Sequence, residues 1–336
     1  MPEPPTGARG SGGAAARAEQ RLVGLLAREQ RAPLSPAVRS LAAELRRRHG
    51  PAVAAVVFYG SCLRKRTQEG VLDFYVVVDG YRSAHGSWAM AAANAILPPN
   101  VFYCEWPFHG ETLRTKYAVI SLRDLERGAS TGPLDGRIWA RFCQPIALAY
   151  ARDEVTRARL AGVAARACRT FVARALPALP DASGLQRFSA EDLFRAGFRE
   201  TYRSELRSER PAAVRQLFDA FAERHAAVAS ATLRLLAARG RVEVREADGG
   251  FVVRSGRAAL GRSRLAAQLR RPPAKALAIA GLLKTAFTFD DWVPYVLWKM
   301  ERHTAVKIEV TERQRRHPLI FGWPVVLRVL REGLYR

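Results

Sequence analysis

At 336 residues, 49% of them hydrophobic, the chain can bury a sizeable core, and its length suggests two domains more readily than one. A formal charge of +23 and a pI near 11.0 predict attraction to polyanions (nucleic acid, anionic lipid or nucleotide) without choosing among them. Cys62, Cys104, Cys143 and Cys168 form no CxxC pair and are too scattered for a disulfide framework, the six histidines lack metal-ligand spacing, and no apolar run reaches the roughly 18 residues of a transmembrane helix. A reducing, cytoplasmic setting is expected, with any work at a membrane done from its surface.

Residues 1–18, rich in Pro, Gly, Ala and Arg, read as disordered. A helical pattern follows from Glu19 to His49. Short β-branched apolar runs predict strands at Val53–Tyr59 and Val71–Val78. A helix over Ala89–Leu97 ends at Pro98-Pro99. Further strands are expected at Val101–Glu105 and Arg114–Ile120, with Ser121 capping a helix over Leu122–Glu126. This small mixed sheet ends near Tyr150. Beyond Asp153 the pattern is mostly helical, interrupted by a Pro-rich linker at Leu176–Ser183 and a hairpin in which 242–245 and 251–254 flank Asp248-Gly249-Gly250. Helix resumes at Ala274–Thr285 and Trp292–Arg302. Over 319–335, Trp323, Val326, Leu327, Leu330 and Leu334 share one helical face opposite Arg328, Arg331, Glu332 and Arg336. That pattern suits an interfacial membrane helix or one docked on its own domain.

The stretch Val56–Cys62 with Val71–Asp79 carries the most chemistry. It reads as a strand, a Gly60-Ser61 turn opening a basic helix, and a second strand with Asp73 near its start and Asp79 at its end. Gly60 would let the backbone approach a phosphate, Ser61 and nearby amides would hold it, and an acid on the adjacent strand would hold Mg²⁺ against it. That is the layout of a nucleotidyltransferase site, although Gly-Ser can also simply punctuate two core strands. Lys116, a cation inside an apolar strand, is either a phosphate neutraliser or a side chain on the solvent face.

Five ordered blocks resemble the mitochondrial-type phosphatidate cytidylyltransferases, also called translocator assembly and maintenance proteins. Phe58-Tyr59-Gly60-Ser61 goes with Leu72-Asp73-Phe74, and Leu97–Tyr103 is similar to that family's N-H/P-V-Y-Y strand. Lys116–Ser121 is similar to K-Y-G-V-I, Ala140–Pro145 to G-R-L-x-K-P, and Thr201–Arg207 with Glu209 and Pro211 to S-Y-x-G-D-x-R…E-x-P. The blocks span roughly residues 50–300. The chain departs from the family at Cys62 (usually Gly), Gln144 (Lys) and Ser204-Glu205 (Gly-Asp), which puts nucleotide and lipid specificity in doubt. Tyr75 stands where many nucleotidyltransferases have a second Asp, which leaves the second metal ligand to Asp79 or Glu105.

The resemblance implies an α+β nucleotidyltransferase-fold mixed sheet over 19–150. A mostly helical, winged-helix-like domain would follow over 151–305, and a basic segment with the amphipathic helix over 306–336. It implies transfer of CMP from CTP to phosphatidic acid, giving CDP-diacylglycerol and pyrophosphate, with Mg²⁺ as cofactor and Mn²⁺ or Co²⁺ as substitutes. Asp73 would hold the metal and Lys116 and Arg141 would act in catalysis. Gly60, Ser61, Arg203 and Arg207 would bind phosphates, and Tyr202 would stack on the base or sit in the core. The setting would be the inner face of a bacterial cell membrane, or the matrix side of the mitochondrial inner membrane in a eukaryote, with a homodimer compatible. The Ala/Arg bias favours a GC-rich bacterial source. Two rivals stand behind this reading: a nucleotidyltransferase acting on nucleic acid, which the charge favours, and a non-catalytic adaptor of the same fold.

Overall fold

The computed structural model describes residues 8–132, 134, 136–180, 184–205 and 211–288. The chain runs through α1 (Ala8–Glu29), α2 (Pro36–His49), β1 (Val53–Tyr59), α3 (Ser61–Lys65), β2 (Val71–Val78), α4 (Tyr81–Ala84), α5 (Trp88–Ile96), β3 (Asn100–Phe108), β4 (Glu111–Ser121) and α6 (Leu122–Gly128). It continues through α7 (Trp139–Phe142), β5 (Ala147–Ala151), α8 (Glu154–Ala175), β6 (Leu185–Phe188), α9 (Ala190–Glu205), α10 (Pro211–Asp219), α11 (Ala222–Ala238), β7 (Glu243–Ala247), β8 (Gly250–Arg254) and α12 (Arg257–Thr288). The architecture is mixed α+β: a five-stranded sheet in the order β3-β4-β2-β1-β5, and a three-stranded antiparallel sheet in the order β6-β8-β7.

Within the larger sheet, β2 is antiparallel to β1 and parallel to β4. Side chains alternate between two apolar layers, as a pleated strand requires. Leu72, Phe74, Val76 and Val78 face the Val38, Leu41 and Leu45 side of α2, while Tyr75 and Val77 face a core shared with Leu160 and Phe171 of α8 and Phe142 of α7. That second core runs on through Phe194 and Phe198 of α9 and Leu233 of α11. It therefore joins the segments before and after the expected boundary at 150.

Three sequence expectations change. The single helical pattern over 19–49 is two helices, because Pro33 and Pro36 interrupt the backbone ladder and the Ser35 hydroxyl accepts from the Val38 amide to start α2 afresh. The stretch read as disordered up to residue 18 is helical from Ala8. Its alanines are strong helix formers, and α1 packs on α8 and α11 through the fully buried Leu22 and Leu26. Glu19 adds ion pairs to Arg169 and Arg239. The hairpin over 242–254 is present, but it carries a third strand, β6, on its β8 side. The expected helices over 292–302 and 319–335 lie outside the described residues.

Glu29 at the end of α1 fastens these layers. Its carboxylate takes a 2.7 Å bond from Arg224 of α11 and accepts from the Ile146 amide, while Arg224 also donates to the Cys143 carbonyl at 2.5 Å. Both side chains are mostly buried. Glu29→Ala should lower the unfolding free energy in urea by about 3 kcal/mol, because it strands a buried guanidinium. A Glu29→Leu/Arg224→Met double variant should regain most of that loss.

Two buried histidines set an acid limit. His225 is pushed down to about 3, by burial first and then by Arg224; His85 is pushed to about 4 by burial, with His49 and Lys284 adding repulsion. Both stay neutral in the fold, whereas in the unfolded chain they protonate near the ordinary 6.5. The unfolded state then binds more protons, so stability is full above the ordinary value and falls as pH drops toward 4, by about 1.4 kcal/mol per pH unit for each group. Urea midpoints measured between pH 7 and pH 5 should show this slope, shallower in His85→Asn.

Candidate functional site

The site residues occupy one row across four neighbouring strands. Register places Tyr59 beside Asp73, Asp73 beside Lys116, and Lys116 beside Tyr103. Paired residues project from the same face, so this row continues the face that carries Tyr75 and Val77. Further along, the face is roofed by α7 and α8; at this row the roof stops, leaving the Asp73 side chain 18% exposed and that of Lys116 35%. The Lys116 ammonium lies 3.2 Å from Asp73 Oδ1.

Gly60 closes the row. It follows the last residue of β1 with φ +91° and caps the start of α3, whose first residue is the exposed Ser61. A Cβ at Gly60 would sit 2.6 Å from Asp73 Oδ2 and 3.2 Å from the Asp73 Cβ and Cγ. Only glycine satisfies both the left-handed backbone and the contact. The turn thus presses bare backbone against a carboxylate, and the early amides of α3, which no helix can bond internally, follow directly. Cys62 points the other way, buried, with its thiol 3.3 Å from the Val71 carbonyl.

One step toward the end of β3 is a second charged pair: Arg114 meets Glu105 at 3.2 Å, and the Tyr103 hydroxyl donates to Glu105 at 2.8 Å. Burial, then the bond to Glu105, raises the Tyr103 phenol well above its ordinary value, so it remains a neutral donor. Arg114 and Tyr103 escaped the sequence reading. The available signal was parity: Arg114 and Lys116 share the face that Ala118 and Ile120 bury.

The other expected site residues scatter. Asp79 follows the far end of β2, about 20 Å along the strand from Asp73, and is held by Arg152 at 2.5 and 3.1 Å. Nearness in sequence made it a candidate second metal ligand, but the strand carries it away from Asp73 and from the Gly60 turn. Glu105 shares the face of Asp73, but its Oε1 is engaged by both Arg114 and Tyr103. Arg141 lies on α7 beside Phe142, whose ring packs 5.3 Å from Tyr75, and its guanidinium donates to the Arg137 carbonyl at 2.7 Å. The Gln144 amide likewise turns back to the Ala140 carbonyl. Tyr202, half-buried, stacks on Phe198 in the helical layer, which favours its core role. Arg203 falls within α9 but its side chain, like all of Arg207, lies outside the described residues.

Among the described residues no group of three or more His, Cys, Asp or Glu side chains converges on a metal position, and no helix is long and apolar enough to cross a membrane. One carboxylate with an oxygen turned toward open backbone still suits Mg²⁺, which is commonly held by one or two carboxylates and takes its remaining ligands from substrate phosphates and water. No family model matches the chain, and no curated protein matches it.

The contact between Gly60 and Asp73 can be tested without any substrate. Gly60→Ala should destabilise by about 1–3 kcal/mol through backbone strain and the clash. In an Asp73→Ala background the same change should cost less, since the clash with the carboxylate is gone and the backbone strain and the tight Cβ contact remain; equal costs in a thermal-melt cycle would show that the carboxylate does not press on position 60.

Proposed function

We propose that this chain is a nucleotidyltransferase that moves CMP from CTP to the phosphate of phosphatidic acid, releasing pyrophosphate. The observation that carries the nucleotidyl-transfer part is the left-handed Gly60 turn set against Asp73, with Lys116 3.2 Å from the same carboxylate. The choice of CTP and phosphatidic acid rests on the five ordered sequence blocks. A mixed sheet carrying that turn at the end of its first strand agrees with a nucleotidyltransferase fold.

In this reading Gly60 admits a triphosphate close to the backbone, and Ser61 with the first amides of α3 meets its oxygens. Asp73 would hold Mg²⁺, which supplies neutralisation of the phosphate charge. Lys116 places a second positive charge on the same face. The acceptor phosphate monoester is already anionic at neutral pH, so one of its oxygens attacks the α-phosphorus directly. The new P–O bond forms as the α–β bond breaks and pyrophosphate leaves, and the residues need only position and neutralise. The +23 charge would draw the protein to an anionic bilayer surface, where the lipid acceptor resides.

The test is incubation of purified protein with labelled CTP, Mg²⁺ and phosphatidic-acid liposomes, following label into the lipid. Asp73→Ala should cut incorporation at least about a hundredfold and Lys116→Gln about tenfold or more, the range for removing one charge-stabilising group. CTP bound without lipid labelling would overturn the acceptor and favour nucleic acid, which the net charge also suits. Absence of CTP binding would overturn the enzyme reading altogether.

A further inference from the structure

A second charged site lies in the helical layer, built from elements that the row on the sheet does not use. A cavity of about 570 Å³ opens between α7, α8, α9, α11, the turn that follows α11, and α12. Its wall carries Arg169 and Arg174 from α8, Arg239 and Arg241 from the turn just after α11, and Arg270 and Arg271 from α12. Among the described residues, two carboxylates form ion pairs with these guanidinium groups. Glu19 is shared between Arg169 and Arg239, and Glu200 pairs with Arg271 at 2.8 Å. No carboxylate of the described residues pairs with Arg241 or Arg270.

Folding has thus gathered like charges into a concavity, against their mutual repulsion. Arg174 shows the strain of that arrangement. Its guanidinium lies 5.1 Å above the Trp139 ring and donates to the Thr131 carbonyl, and burial followed by the charge of Arg270 drives it down to about 10. Trp139 itself is 3% exposed, lines the cavity, and has an indole N–H with no partner among the described residues. Leu176, Leu236 and Leu260 supply apolar wall between the charges. The volume falls within the range of small-molecule sites, and planar guanidinium forks match phosphate oxygens two at a time.

We propose that this cavity is a second anion site that takes a small phosphate ester, either as a soluble metabolite or as the headgroup of a phospholipid. Arg241 and Arg270 are its uncommitted contacts, and Arg174 over Trp139 is its fixed floor. The site needs no divalent cation, because its charge is supplied entirely by arginine. That separates it from the Asp73 row and makes it independent of the cytidylyltransferase reading.

The experiment is calorimetric titration of the full-length protein with inorganic pyrophosphate and with glycerol 3-phosphate, in chelator to silence any cation-dependent binding. Wild type, Asp73→Asn and Arg241→Ser/Arg270→Ser are compared, with thermal melts to verify folding. Binding is expected in wild type, unchanged in Asp73→Asn, and weakened about tenfold or more in the double variant. Arg241→Lys/Arg270→Lys should restore part of the affinity. Vesicles of phosphatidylcholine doped with phosphatidate then distinguish the source: competition with pyrophosphate assigns a lipid headgroup, and its absence assigns a soluble ester. No binding to wild type, or binding indifferent to the double variant, overturns the site.

Discussion

β2 is paired with neighbours that run in opposite senses, antiparallel to β1 and parallel to β4, and the charged row depends on that arrangement. The antiparallel partner brings the end of β1, and with it the Gly60 turn, back beside the beginning of β2. The parallel partner brings Lys116, from the middle of β4, to the same height. A slip of one residue in either pairing would rotate Asp73 into the layer under α2 and leave a carboxylate among Phe58, Phe74 and Val76. The apolar alternation of β2 is therefore what aims the carboxylate, and the roof of α7 and α8 decides how much of it water can reach.

Much of this was legible because the signals were local. β1 and β2 fall where β-branched runs are bounded by glycine and polar residues, with their limits at Val53–Tyr59 and Val71–Val78. Gly60 stood out by type at the end of the first run, Asp73 within the second, and Lys116 within the apolar run of β4. The misses came where distant pairing overrides local pattern. β6 is four residues long and becomes a strand only because β8, far along the chain, offers an open edge. Asp79 was a candidate because it is near Asp73 in sequence, and an extended strand turns six residues into a separation of about 20 Å. The N-terminal helix was hidden by its glycines, while its stability comes from α8 and α11, which the local composition does not register.

The arginines divide into roles that composition cannot separate. Arg224 is a structural bolt, shared between Glu29 and a backbone carbonyl, and Arg152 closes the far end of β2 through Asp79. Arg159 and Arg234 are bidentate to single glutamates at the surface, where such pairs contribute little. The six around the helical cavity are different in kind, since their charges converge and the described residues pair them with two carboxylates. Net charge alone would have assigned all of them to one diffuse field.

The clash distance at Gly60 also restricts how this sequence can drift. Most arginines on the surface could exchange with lysine or vanish one at a time at little cost to the fold, so that part of the sequence can diverge quickly. Position 60 cannot change freely while position 73 keeps its carboxylate, because a Cβ there would press on Asp73 Oδ2. Position 73, by contrast, can shrink beside an unchanged glycine. The dependence runs one way: a lineage that keeps the carboxylate keeps the glycine, and one that has lost the carboxylate is held at glycine by the backbone alone.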